Sequence, residues 1–188
     1  MSLVLASTSP ARRALLDALG VPYEAMAPGV GEEVPAGTEV ERATAMLARR
    51  KAEAVAKVRP EALVLGADQL VELDGVALGK PPDATAALEQ LRALSGRAHR
   101  IVTAVCLVGP GVDLEEVDVV GMRLFALSED ELRRYVATGE WQGCAGGYRV
   151  EGRGQALFED IKGDRTSVQG LPMLRVVRML RRAGVALP

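Results

Sequence analysis

The apolar run Ser2–Ala6 empties through Ser7-Thr8-Ser9 directly into a helix signal, and this junction constrains the fold more than any other feature of the chain. Ser9 is a good N-cap, Pro10 suits a first helical position, Ala14-Leu15-Leu16 and Leu19 carry an apolar stripe, and Gly20 is a stop. A buried strand followed at once by a capped helix opens an α/β fold. The same alternation continues. Val21–Ala27 is a candidate strand, and Thr38 with Glu41 reads as a capping box for a helix running through Lys51 to about Val58. Ala62–Gly66 is a buried strand ending at Asp68, and Asp74-Gly75 is a hairpin turn between Leu70–Leu73 and Val76–Leu78. Asp83 caps a helix to Leu94, and Arg100–Val108 and Val117–Phe125 are long strands. Ser128 and Glu131 form a second capping box, Ala156–Ile161 is strand-like, and Leu171–Arg182 is an amphipathic helix. Trp141–Gly154 is glycine-rich and carries no clear period. The hairpins favour a mixed sheet over a purely parallel one.

Composition removes several function classes. With 188 residues, 48% hydrophobic and 26% charged, the chain can bury a core and is not disordered. A net charge of -2 excludes a basic nucleic-acid footprint, so any anion site must be a local cluster of cations. Apolar runs fall far short of the ~20 residues of a membrane span. The start lacks a cationic leader, and Cys106 and Cys144 have no metal-like spacing, which together read as cytoplasmic. G-x-x-x-x-G-K-[ST], a strand-following G-x-G-x-x-G and G-x-S-x-G are all absent. His99, the only histidine, has no nucleophile pattern and is assigned no role.

Four features carry candidate chemistry. Ser7-Thr8-Ser9 precedes a helix N-terminus, where free N–H groups and the helix dipole favour an anion. Arg12 and Arg13 follow in the first turn, where the dipole disfavours each cation by about 0.3–1 kcal/mol, so an anion to balance them is indicated. The alternative is a capped helix with two solvated arginines. Asp68 lies just past a strand, where ligands gather in α/β sheets; the alternative is an acid that only turns the chain. Glu32-Glu33 are loop carboxylates that with Asp68 could supply the hard oxygens that Mg²⁺ prefers, or simply face water. Lys80 is held in the turn Gly79-Lys80-Pro81-Pro82, whereas Lys51 sits in a charge run with Arg49 and Arg50, a pattern usual for a solvated face.

Taken in order, these motifs resemble the Maf (septum-formation inhibitor) family of nucleoside triphosphate pyrophosphatases. The matching segments are Leu5–Leu16, Glu32-Glu33, Leu47–Ala52, Gly66-Ala67-Asp68, Leu73-Asp74-Gly75, Gly79-Lys80-Pro81 and Leu94-Ser95-Gly96. Ala145–Tyr148, Glu151-Gly152, Gly163-Asp164 and Gly170-Leu171-Pro172 complete the set. The resemblance implies one domain over residues 1–188, an ITPase-like mixed twisted sheet flanked by helices, with two lobes around a central cleft, usually a homodimer. It implies hydrolysis of a nucleoside triphosphate to the monophosphate and pyrophosphate with a divalent metal, Mg²⁺ or Mn²⁺, and no nucleic-acid or membrane partner. Asp68 is then the expected base or metal ligand, with Glu33 and, as a further candidate, Glu32 on the metal. Ser7, Ser9, Arg12, Arg13, Lys51 and Lys80 are expected on the phosphates. Substrate preference in the family is associated with the positions of Ala11, Gln69 and Glu151. Gln69 and Glu151 match the branch preferring 7-methyl-GTP, while Ala11 departs from both branches and lacks an aromatic plane for a cationic base. The alternative function is a nucleotide-binding regulator of cell division.

Overall fold

The structure is a computed structural model and describes residues 1–187. Its elements are β1 (Leu3–Leu5), α1 (Pro10–Leu19), β2 (Tyr23–Ala25), α2 (Val40–Ala56), β3 (Leu63–Leu73), β4 (Val76–Leu78) and α3 (Ala84–Leu94). There follow β5 (Ala98–Gly109), β6 (Val112–Leu124), α4 (Glu129–Val136), β7 (Phe158–Lys162), the single turn α5 (Arg165–Val168) and α6 (Met173–Arg182). The strands form one seven-stranded sheet in the order β2-β1-β3-β5-β6-β7, with β4 paired to β3. It is mixed, as the hairpins suggest. β1 runs parallel to β2 and β3, whereas β4 is antiparallel to β3 and β7 to β6. Among the described residues no helix is long and apolar enough to cross a membrane.

The chain divides into two compact units. The first comprises Met1–Asp68, Thr103–Asp118 and the chain from Gly170 onward. Strand alternation gives it two apolar layers. Leu3, Leu5, Leu63, Leu65, Val105 and Leu107 pack with Leu16 of α1 and Val176, Met179 and Leu180 of α6. Val4, Ala6, Ala62, Val64, Ala104 and Cys106 pack with Ala48, Ala52 and Val55 of α2. The second layer is rich in small side chains, and α2 lies correspondingly close. A Cβ on Gly66 would come within 2.3 Å of the Ala48 carbonyl oxygen and 2.7 Å of the Ala52 nitrogen, so only glycine permits this approach.

The second unit comprises Gln69–Val102 and Val119–Gln169. Its core joins Val71 and Leu73 with Leu88, Leu91 and Leu94 of α3, Leu132 and Tyr135 of α4, and Trp141, Tyr148 and Leu157. The glycine-rich stretch resolves into short 3-10 turns at Ala145–Gly147 and Arg153–Leu157, which explains its missing period.

Caps at Ser9, Asp83 and Ser128 form as expected, the last with the full Ser128–Glu131 box. Two local expectations are corrected. The Thr38–Glu41 box does not form: Glu39 is the N-cap without a side-chain bond, and the Thr38 hydroxyl instead donates to the Pro35 carbonyl at 2.7 Å. The strand expected to end at Asp68 continues to Leu73, because Gly66 marks a close helix contact rather than a stop. The Asp74-Gly75 turn is where the sequence puts it, with both φ angles positive and Leu73 facing Val76.

His99 is 4% exposed, and its Nε2 lies 2.9 Å from the Tyr148 hydroxyl. Burial pushes its pKa down to about 4, only partly opposed by a backbone contact to Arg97. The unfolded chain therefore takes up this proton first, near pH ~6.5. The stability that neutral His99 contributes is present above that value and is lost as pH falls towards about 4. Between pH ~7 and pH ~5 the protein should lose about 2 kcal/mol more than His99→Gln does, measured by urea denaturation. Parallel pH profiles for the two proteins would mean that folding does not shift the His99 pKa.

Candidate active site

The candidate residues of the first unit gather where β1 ends. Leu5 pairs with Leu65 and the Ala6 N–H donates to the Leu65 carbonyl at 2.8 Å, so Asp68 lies three residues past the β1–β3 ladder. Val64 shares a layer with α2; by alternation Gly66 and Asp68 face the same helix. The buried positions of α2 include Thr44, Leu47, Ala48, Lys51, Ala52 and Val55, a helical stripe with one cation in it. Lys51 is thus not on a solvated face. It is 8% exposed and Asp68 is 6% exposed. The Lys51 ammonium donates to Asp68 Oδ1 and, at 2.8 Å, to Glu32 Oε1.

Arg12 completes this cluster. Its Nε donates to the Gly170 carbonyl at 3.0 Å and its Nη1 to Ser7 Oγ at 3.4 Å. Burial lowers its pKa, and the charges of Asp68 and then Glu32 act against that shift. Gly170 has φ of +113°, and a Cβ there would sit 3.1 Å from Arg12 Nε, so a side chain would be both strained and obstructive. Ser7 Oγ also accepts from the Ser9 N–H at 3.2 Å, while Ser9 Oγ caps Arg12 N at 3.5 Å. With both acceptor positions of Ser7 engaged, the O–H proton is what it can offer a ligand. Arg13 is exposed one residue further on, and its carbonyl accepts from the Tyr23 hydroxyl at 3.2 Å.

The structure brings Ser7, Ser9, Arg12, Glu32, Lys51 and Asp68 together in this unit. The Glu33 carboxylate folds back against its own loop at Gly31, where a Cβ would come within 2.2 Å of Oε2. Arg50 is a contributor that sequence reasoning missed. Its Nη1 donates to the Gly31 carbonyl at 2.9 Å and the Glu33 carbonyl at 2.8 Å, pinning the loop that carries Glu32. The signal available was its place beside Lys51 in the charge run. Ala11 lies partly exposed in the first turn of α1.

Lys80, Gln69 and Glu151 belong to the second unit. Lys80 is exposed on a turn anchored through the Gly79 carbonyl, which accepts from Gly146 N and Gln90 Nε2, each at 3.3 Å. Gln69 Nε2 donates to the carbonyls of Ser167 at 2.7 Å and Val168 at 3.1 Å. Glu151 is exposed, with Arg149 Nε at 3.7 Å.

Among the described residues no group of three or more His, Cys, Asp or Glu side chains is arranged for a metal. Mg²⁺ commonly takes only one or two protein carboxylates and completes its shell with water and substrate phosphates. Glu32 and Asp68 already converge on one cationic centre, so this pair fits that donor count.

A buried pair broken on one side leaves an uncompensated charge, at a cost of about 3–5 kcal/mol. Lys51→Met should lower unfolding free energy by that amount, and Asp68→Asn added to it should restore part of the loss. Strictly additive effects in a urea double-mutant cycle would show that the two side chains are not coupled.

The sequence matches the family model described as Maf-like protein over residues 2–183. It is 44% identical over 184 residues to a dTTP/UTP pyrophosphatase of Pelotomaculum thermopropionicum, covering 97% of this chain and 96% of that protein. It is 42% identical over 187 residues to a 7-methyl-GTP pyrophosphatase of Xanthomonas oryzae pv. oryzae, covering 99% and 98% respectively. A fainter likeness, TM-score 0.47 at 19% identity over 67% of this chain and 73% of the other, is to a Ham1 protein structure from Staphylococcus aureus.

Proposed function

The chain belongs to the Maf-like protein family, and from that premise we propose that it hydrolyses a nucleoside triphosphate between the α- and β-phosphates, releasing the monophosphate and pyrophosphate. The observation that supports this best is the cluster itself. Arg12 and Lys51 lie with Glu32 and Asp68 beside a helix N-terminus. Two cations against two carboxylates leave the cluster neutral. A divalent cation, Mg²⁺ or Mn²⁺, held by Glu32 and Asp68 would supply the charge neutralisation that a polyphosphate requires. The site would then carry two net positive charges, complementary to its substrate.

The chain's own groups divide the work. Arg12 and the Ser7 hydroxyl bind phosphate oxygens, with the first-turn N–H groups of α1 behind them. At ~4 Å and an effective dielectric of ~20 each charge pair is worth roughly 4 kcal/mol before desolvation. Lys51 fixes one oxygen of Asp68, and the carboxylate accepts the proton of the attacking water. Lys80 and Arg13, both exposed, are proposed as further phosphate contacts.

For the base, Gln69 and Glu151 support 7-methyl-GTP. Methylation at N7 leaves guanine positively charged, and the exposed Glu151 carboxylate is engaged by Arg149 only at 3.7 Å. Purified protein with Mg²⁺ should release pyrophosphate from this nucleotide, lose activity on chelation, and turn over at least ~100-fold more slowly as Asp68→Asn. Orthophosphate as the first product would overturn the reaction, and near-normal turnover of Asp68→Asn would remove that residue from it.

A further inference from the structure

Glu151 sits in a loop that is gripped on both sides, from the end of α4 and from the segment that follows it. Two residues before it, the Arg149 N–H donates to the Tyr135 hydroxyl at 2.9 Å. Two residues after it, the Arg153 N–H donates to Glu140 Oε2 at 2.7 Å. Both acceptors come from the end of α4 and the segment that leaves it, and all these residues belong to the second unit.

The grip is tight. A Cβ on Gly152 would come within 2.4 Å of Glu140 Oε2, so the carboxylate lies against the backbone next to Glu151. A Cβ on Gly154 would meet the Arg149 carbonyl oxygen at 2.2 Å, which shows the loop closing on itself. The gripping side is also built rigidly. Tyr135 is buried, Glu140 N donates to Thr138 Oγ1 at 3.2 Å, and the neighbouring Trp141 indole donates to the Val136 carbonyl at 3.1 Å. Glu140 therefore spends its carboxylate on the Arg153 N–H while Glu151, in the middle, keeps its own exposed.

Resting on the reading of Glu151 as a base-discriminating residue, we propose that Tyr135 and Glu140 are positioning residues that hold the Glu151 carboxylate where it selects the base. Neither touches the substrate. Their effect passes through the backbone of Arg149 to Arg153, so it falls on base preference and substrate KM, not on the phosphate chemistry.

The test is steady-state kinetics of the Mg²⁺-loaded enzyme on 7-methyl-GTP, GTP, dTTP and UTP. Glu140→Ala should raise KM for 7-methyl-GTP about tenfold, the loss of one charge-assisted hydrogen bond, with kcat and the KM values for dTTP and UTP little changed. Tyr135→Phe, which keeps the ring and loses the acceptor, should shift the ranking the same way. Glu140→Gln keeps an oxygen acceptor and should restore most of the preference. Glu151→Gln should produce the same shift, and Glu140→Ala added to it should produce no more. If Glu151→Gln moves the ranking while Glu140→Ala and Tyr135→Phe do not, the positioning role is wrong and the base-reading role stands. If Glu151→Gln leaves the ranking unmoved, base reading fails and this proposal falls with it. A uniform loss of kcat on all four nucleotides in folded Glu140→Ala would assign Glu140 to general stability instead.

Discussion

An ammonium and a carboxylate, each almost wholly removed from water, meet between α2 and β3. Such a pair seldom repays its desolvation against well-packed apolar side chains, so Lys51 and Asp68 are poorly explained as stabilisers. Under the proposed reaction they are chemistry that the fold has to accommodate. The accommodation is visible in the surrounding sequence. Gly66, Ala48 and Ala52 bring helix and strand so close that the ammonium reaches the acid directly and spans to Glu32 as well.

Other elements of the first unit serve that same cluster. Gly170 supplies a carbonyl to the Arg12 guanidinium from far along the chain, and Ser7 holds the other end of it. Arg50 grips the backbone on both sides of Glu32 while its neighbour Lys51 takes the Glu32 carboxylate. The charged groups thus sit on helices, on a strand and on a pinned loop. That is the preorganisation the proposed polyanion site needs, because groups already oriented do not have to be reoriented during the reaction.

The second unit handles polarity differently. His99 and Tyr148 are buried as a neutral hydrogen-bonded pair within an aromatic group that includes Phe158. Desolvation holds the histidine neutral, so it suits a core and not proton transfer near pH ~7. The glycines at 146 and 147 have positive φ, and a Cβ on the first would meet Tyr148 at 2.9 Å and Val71 at 3.0 Å. That stretch of the motif is built for close packing.

Local chemistry was legible in the residues. Ser9-Pro10 and Gly20, Asp83, Ser128 with Glu131, and Asp74-Gly75 all form what their side chains favour, because caps and tight turns are decided within a few residues. The hydroxyl run before Arg12 and the acids at 32 and 68, separate in the chain, do come together in one cluster. Which face each charge occupies could not be read so directly. Lys51 looked like part of a solvated run until the stripe through Ala48, Ala52 and Val55 placed it inside. Asp68 looked like a strand end, although the strand continues for five more residues. Thr38 took a nearby carbonyl in place of a cap. By itself, then, the sequence determined the elements and the types of chemical group. Only the packed structure decided which carboxylate Lys51 takes, since Glu32 and Glu33 are neighbours of the same type on one loop. That choice follows from Arg50 fixing the loop's backbone, an interaction between residues far apart in the chain.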